Sequence, residues 1–145
     1  MSKKFKLISI IFILTNFSNL SFSSENFFIE GKKKYNEKKF EDSKFLLQRN
    51  IIYNPKDANS YLYLAKIFNF EKNEKEELKN LNTTLLLETN NEEAMYMLIN
   101  IKLKKSNYSE VKSLLEDFLV VCKKLCEKEK KIKESLKNIE PKDES

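Results

Sequence analysis

The chain has 145 residues with one glycine, two prolines and no histidine, and 27 basic residues face 22 acidic ones. So little glycine argues against folds that depend on tight hairpins or phosphate-binding loops, because these need backbone at positive φ. The lack of histidine removes the usual base of serine and cysteine hydrolases and most zinc-ligand sets. The composition therefore predicts an all-α protein that is not an enzyme and holds no cofactor or metal.

The first 23 residues have the pattern of an export signal. A basic start precedes the apolar run from Leu7 to Leu14, and Ser21 and Ser23 supply the small residues that a signal peptidase recognises. We expect cleavage after Ser23 and a periplasmic or secreted protein of a Gram-negative-type bacterium. The run falls short of the roughly 20 apolar residues that span a bilayer. An uncleaved N-terminal anchor is the alternative.

Much of the positive charge lies in this leader. It contains Lys3, Lys4 and Lys6 and no acidic residue, so the rest of the chain carries 24 basic against 22 acidic residues. A net charge near +2 does not provide the strongly basic face that nucleic-acid binding needs. No later segment of the sequence predicts a membrane span. The expected partner is therefore not nucleic acid, and no stable span is expected after cleavage.

Beyond the leader, the chain predicts three helix pairs. Apolar positions recur at intervals of three and four, which is the pattern of amphipathic helices. Asn54 and Pro55 end the first pair, because proline donates no backbone hydrogen bond and restricts the residue before it. The pairs occupy residues 24–57, 58–91 and 92–125. Their predicted helices are Glu25 to Asn36 and Phe40 to Tyr53, Ala58 to Phe70 and Glu74 to Leu87, and Glu92 to Lys104 and Tyr108 to about Val121.

The same apolar positions recur at a fixed interval of 34 residues. Such a register over three copies indicates stacked helix pairs, in which each unit covers an apolar face of its neighbour. An array of this kind presents a binding surface. The sets in register are Phe27, Tyr61 and Met95; Gly31, Ala65 and Ile99; Leu47, Leu81 and Leu115; and Ile51, Leu85 and Leu119.

These residues resemble the tetratricopeptide repeat. The first unit matches best, with a small residue at Gly31, aromatic residues at Tyr35 and Phe40, Leu47 in the second helix and Pro55 near the end. The resemblance covers about Ser24 to Cys126. It implies an α-solenoid of three helix hairpins that mediates protein–protein interaction.

Later units depart from this pattern. Glu74 replaces the aromatic residue of the second unit, Glu77 its small residue and Thr89 its proline, while Ile99 takes the small position of the third unit. Looser packing of the helix pair is expected where Ile99 stands.

Residues 126–140 predict a capping helix, and residues 141–145 a disordered tail. A terminal helix with one apolar stripe, over about Glu127 to Asn138, shields the last repeat from water. The alternative is a lysine-rich helix that rests on anionic lipid. The stripe consists of Leu125, Ile132, Leu136 and Ile139.

Cys122 and Cys126 are the only cysteines. An exported protein lies where disulfides persist. Within a helix, β-carbons four residues apart lie about 5–6 Å from each other, which is too far for the roughly 3.5–4.5 Å of a disulfide. A turn is nevertheless expected between the two, because Cys122 aligns with Asn54. We therefore predict a disulfide that joins the third pair to the capping helix, with free thiols as the alternative.

The resemblance also implies which residues line a peptide-binding groove. A row of lysines there would meet acidic groups on an extended peptide, and amides would meet its backbone. One alternative is that the aromatic and leucine members only pack between helices, and another is a structural subunit that self-assembles without a peptide ligand. The residues carried over are Phe28, Lys32, Tyr35, Leu62, Lys66, Asn69, Phe70, Tyr96, Asn100 and Lys104.

Overall fold

A computed structural model describes residues 25–140 of the chain, and the predicted leader and tail lie outside this range. The described range contains seven α-helices and no strand, which confirms the all-α prediction. The bounds of the first six helices coincide with the predicted ones, and the last helix is two residues shorter than expected. The helices are α1 (Glu25–Asn36), α2 (Phe40–Tyr53), α3 (Ala58–Phe70), α4 (Glu74–Leu87), α5 (Glu92–Lys104), α6 (Tyr108–Val121) and α7 (Lys128–Lys137).

Asparagine starts three of these helices. The side chains of Asn73, Asn91 and Asn107 each accept a hydrogen bond from the backbone N–H three residues later, at 3.3, 2.9 and 3.3 Å. An asparagine at this position satisfies one of the N–H groups that have no partner inside a helix. The starts of α4, α5 and α6 are thus fixed by local side-chain chemistry.

The three hairpin turns share one backbone conformation. Lys38, Lys72 and Ser106, spaced 34 residues apart, have φ of 60°, 58° and 53°. In each turn the next residue donates a backbone hydrogen bond to the carbonyl five residues earlier. This is a Schellman motif, which usually places glycine at the left-handed position. The low glycine content therefore does not exclude positive φ in this chain, because lysine and serine adopt it here.

Each helix packs against its neighbours along the chain. In addition, α1 contacts α3, and α5 contacts α7. The helices α5 and α6 contact each other less extensively than the helices of the first two pairs do, in line with the looser packing expected at Ile99. None of the described helices combines the length and the apolar character needed to cross a membrane.

Three apolar clusters form the core. One joins α2 to α3, one lies between α3, α4 and α5, and one joins α5, α6 and α7. The terminal helix contributes Ile132, which is fully buried. The buried members are Leu47, Leu64 and Ile67; Leu62, Ala65, Leu81, Ala94, Leu98 and Ile101; and Met95, Ile99, Val111, Leu115, Phe118 and Ile132.

Gly31 allows a close approach of α1 to α2. A β-carbon at this position would lie 3.0 Å from two side-chain carbons of Leu47, which is itself fully buried. The Ser43 hydroxyl donates to the Gly31 carbonyl at 2.8 Å. The small residues of the first unit thus allow both the contact between the helices and a buried hydrogen bond.

A buried polar network ties the first pair to the second. The Asn50 amide donates to Asp57 Oδ2 at 2.7 Å and to the Ser60 hydroxyl at 2.9 Å. The Ser60 hydroxyl in turn donates to Asp57 Oδ2 at 2.7 Å. Asn50 and Ser60 are buried, so the three groups satisfy one another where α2 meets α3.

Candidate functional site

Four of the predicted groove residues surround one aromatic ring. Phe28 and Tyr35 meet the Tyr63 ring edge-on, with ring centroids 5.8 and 5.1 Å from it. The ammonium groups of Lys66 and Lys32 lie 4.5 and 5.9 Å from the centroid of the same ring. We call these five residues the Tyr63 cluster. It joins α1 to α3 and offers half-buried rings with cations beside them.

Tyr63 itself was missed in the sequence. The family pattern places its neighbour Leu62 in the groove, but Leu62 is buried in the cluster between α3, α4 and α5. Tyr96 is half-buried, with its ring 6.4 Å from that of fully buried Phe118. These two predicted groove residues therefore pack between helices. The sequence feature that could have identified Tyr63 is its position directly after Leu62 on the same predicted helix.

Phe70 contacts Phe40, a residue that was not predicted to line the groove. Its ring centroid is 4.5 Å from that of Phe40, and two thirds of the residue is exposed. Phe40 begins α2, so this contact closes the end of the first hairpin against the end of α3.

One lysine of the predicted row, Lys66, is paired within the protein. Lys66 forms an ion pair with Glu93 at 2.7 Å, and only 17% of its side chain is exposed. Burial raises the pKa of the Tyr35 phenol, and the Glu93 carboxylate and Tyr63 raise it further. Tyr35 therefore stays neutral at physiological pH. The positive charge of Lys66 is balanced within the protein.

A polar cavity of about 390 Å³ lies next to α3, α4, α5 and α7. It brings together three predicted groove residues, Asn69, Asn100 and Lys104, with two that were not predicted, Glu77 and Ser135. Three apolar side chains complete its lining, those of Met97, Ile101 and Leu103. The cavity therefore combines a carboxylate, two amides, an ammonium group and a hydroxyl with an apolar wall.

Of the two charged residues that line this cavity, Glu77 is the buried one and Lys104 is exposed. Only 4% of the residue is exposed. Burial raises the pKa of its carboxyl, while a hydrogen bond from Asn69 and the charge of Lys104 act in the opposite direction. The Asn69 amide donates to Glu77 Oε1 at 2.8 Å. The Asn100 amide instead donates to the Tyr96 carbonyl at 2.9 Å, which fixes its orientation at the cavity wall.

The two cysteines close a short loop between α6 and α7. Their Sγ atoms lie 2.11 Å apart and their Cα atoms 5.3 Å apart, so the pair forms the predicted disulfide. The expected turn separates them, because α6 ends at Val121 and α7 begins at Lys128.

The Glu92 carboxylate binds this loop. Its Oε2 accepts backbone hydrogen bonds from Lys123, Lys124 and Leu125 at 2.7, 2.9 and 3.1 Å. The bond from Lys123 contributes most to lowering the pKa of the Glu92 carboxyl, and the other two backbone bonds add to it. The start of α5 is thus attached to the loop that precedes α7.

Within residues 25–140, no three histidine, cysteine, aspartate or glutamate side chains come close enough to hold a metal ion. The sequence matches no protein-family model and no curated protein.

Proposed function

We propose that the protein is an exported adaptor. Its three helix pairs form a tetratricopeptide-type solenoid, and α1, α3 and α5 hold an extended peptide segment of a partner protein. The observation that carries this proposal is the pair of sites formed along these helices. The Tyr63 cluster joins α1 to α3, and the polar cavity is lined by residues of α3, α4, α5 and α7. Both sites have the mixture of apolar surface and polar groups that peptide recognition uses.

The repeated backbone of the turns supports a solenoid. Lys38, Lys72 and Ser106 share a left-handed conformation at the 34-residue spacing of the apolar pattern. Contacts between successive helices add to this, because a solenoid unit buries its surface against its neighbours. Ile132 of α7 is buried against α5 and α6, which fits a helix that caps the last pair.

The disulfide supports export. Disulfides persist in oxidising compartments such as the periplasm, and the Cys122–Cys126 pair is at bonding distance. Together with the pattern of the first 23 residues, this favours a periplasmic or secreted adaptor. A role in assembly or maintenance of the cell envelope follows from that location by analogy.

Crosslinking inside cells tests the peptide-binding surface. A photoreactive amino acid replaces Lys32, an exposed member of the Tyr63 cluster, or, as a control, exposed Lys112 of α6. We expect a defined crosslinked protein from position 32 and not from position 112. Mass spectrometry identifies the crosslinked segment of that protein, and a synthetic peptide of this segment is then used for binding measurements.

The variant Tyr63→Ala should weaken binding of that peptide at least tenfold, because it removes the ring that Phe28 and Tyr35 contact. Tyr53→Ala is the matched control, since Tyr53 lies at the end of α2 and is half exposed. Equal crosslinking from positions 32 and 112, or equal peptide affinity in the two variants, would place the interface elsewhere.

A second candidate function is self-assembly, and exposed apolar residues on the second helices favour it. Ile52, Leu86 and Val120 occupy the same position in the 34-residue repeat and are 77%, 81% and 85% exposed. If these three side chains form a contiguous apolar patch, they would mark a protein interface. Sedimentation over a range of concentrations tests this alternative. A stable oligomer that Leu86→Lys dissociates would favour it over the adaptor.

A further inference from the structure

We propose that the polar cavity beside α3, α4, α5 and α7 binds an organic cation, an ammonium or guanidinium group, with Glu77 as its counter-ion. Carried on the peptide of the proposed adaptor function, this cation would be a lysine or arginine side chain. The peptide therefore has a basic residue at this end of the surface, not an acidic one. Binding of the cation itself does not depend on the adaptor function, whereas its placement on a peptide does.

The buried carboxylate is the first argument. Glu77 is 96% buried and receives one hydrogen bond, from Asn69 to Oε1 at 2.8 Å. Among the described residues no donor reaches Oε2, and that oxygen keeps some contact with solvent. No described lysine forms an ion pair with Glu77. The charge of Lys104 acts to lower the pKa of the Glu77 carboxyl, but Lys104 is itself exposed. A buried carboxylate without a paired cation is costly, and a cationic ligand would relieve that cost.

The position of Glu77 in the repeat is the second argument. The equivalent residues of the first and third pairs are Ser43 and Val111, both fully buried. Ser43 bonds the Gly31 carbonyl, and Val111 belongs to the core cluster of α5, α6 and α7. Both therefore have a structural role. Packing of α3 on α4 does not need a charge at this position, so the carboxylate calls for another explanation.

The cavity lining favours an organic cation over a metal ion or an anion. The lining contains one carboxylate, and within residues 25–140 no group of three potential metal ligands forms around it. An anion would be repelled by the negative charge of Glu77. Met97, Ile101 and Leu103 provide an apolar wall for the methylene stem of a lysine or arginine side chain. A volume of about 390 Å³ lies within the range of small-ligand sites.

A pair of side-chain analogues tests the charge requirement on the purified full chain. N-propylguanidinium mimics an arginine head group, and N-propylurea has almost the same shape without the charge. Two-dimensional NMR follows the side-chain amide signals of Asn69 and Asn100 during titration. We expect saturable shifts with millimolar affinity for the guanidinium and at most a tenth of that affinity for the urea. Equal affinity for both compounds, or no saturable shift with the guanidinium, would overturn the proposal.

Three variants assign the binding to Glu77. Glu77→Gln should weaken guanidinium binding at least tenfold, while Glu76→Gln, which removes the same charge from the adjacent residue, should leave it unchanged. Lys104→Met should strengthen binding about threefold, because it removes a competing cation from the cavity. The last variant keeps the test valid if Glu77→Gln does not fold. Unchanged affinity in Glu77→Gln or, if that variant does not fold, in Lys104→Met would overturn the assignment.

The two proposals fail separately. If the guanidinium binds as expected but no partner peptide is held near Tyr63, the adaptor function is wrong and the cation site stands. If a peptide binds near Tyr63 and the cavity does not distinguish guanidinium from urea, the cation site is wrong and the adaptor function stands.

Discussion

Replacing Asn50 by aspartate places two carboxylates against each other in the network between α2 and α3. The Asn50 amide nitrogen lies 2.7 Å from Asp57 Oδ2, and the residue is 2% exposed. Asn50→Asp keeps the shape of the side chain and replaces this donor with an acceptor. The donor to the Ser60 hydroxyl is lost as well, although Ser60 still donates to Asp57. The substitution thus changes hydrogen bonding and charge with almost no change in volume.

The expected cost follows from two contributions. Loss of a hydrogen bond to a charged group costs about 1.5–3 kcal/mol. Two negative charges about 4 Å apart repel each other by about 4 kcal/mol at an effective dielectric constant of 20, and the partial exposure of Asp57 lowers this value. The two carboxyl groups can also share a proton, which removes most of the repulsion, so the total destabilisation cannot exceed the free energy of taking up that proton. We therefore expect the free energy of unfolding to fall by roughly 3–5 kcal/mol at pH 7.

Acid should restore much of this loss. The folded variant holds its two carboxyl groups together, so it binds a proton that the unfolded chain releases at the same pH. Stability then rises as the pH falls, because the folded state binds more protons than the unfolded state. The protonated carboxyl can again donate to its neighbour. The deficit relative to the unmodified protein should therefore shrink between pH 7 and pH 4.

Urea unfolding followed by circular dichroism at several pH values measures this deficit. Asn82→Asp, on the exposed side of α4, is the control and should stay within about 0.5 kcal/mol of the unmodified protein. A deficit for Asn50→Asp below 1 kcal/mol at pH 7, or one that does not shrink toward pH 4, would refute this account of the network.

Three further predictions concern the turns and the loop before α7. Ser106→Gly should stabilise the protein by about 0.5–1 kcal/mol in urea unfolding, because glycine adopts the left-handed conformation without strain, whereas Ser113→Gly inside α6 should destabilise it by about 0.5 kcal/mol; the reverse order would contradict the role of the turn. Replacing Cys122 and Cys126 by serine should cost about 2 kcal/mol, the value for closing a five-residue loop, and an unchanged urea midpoint would show that the disulfide does not stabilise the fold. Glu92→Gln should lower the melting temperature at pH 7 and have little effect near pH 3. A carboxyl with a lowered pKa stabilises the folded state above its unfolded pKa, and this effect is lost as the pH falls through its folded pKa. An equal loss at both pH values would contradict the charge-based interpretation.

The helices were predictable because local signals determine them. Asparagine before a helix, proline after one and apolar residues at intervals of three and four act over a few residues. The 34-residue period then places the helices of the second and third pairs in the same register as those of the first pair. For this reason the bounds of α1 to α6 match their predicted positions, and the turn between Cys122 and Cys126 was expected from its alignment with Asn54.

Polar contacts between distant elements were not predictable in this way. The carboxylate of Glu92 accepts hydrogen bonds from backbone groups more than 30 residues later. The Tyr63 ring contacts side chains of both α1 and α3. Such contacts depend on how helices are rotated and spaced, which a hydrophobic period does not specify. The period also cannot tell Leu62 from Tyr63 as the surface residue, because the two are adjacent on a helix that is largely buried.

The departures from the repeat pattern were visible in the sequence, and the structure gives them different meanings. Ile99 replaces the small residue that the repeat usually has there, and its side chain is fully buried, so it is a packing variant. Glu77 also stands at a small position, but its carboxylate lines a polar cavity beside Asn69 and Lys104. Buried charge destabilises a fold unless it is paired, and local rules are most often broken at functional sites. A charged residue at a position that packing alone would give to a small one is therefore the sequence feature on which the proposed cation site rests.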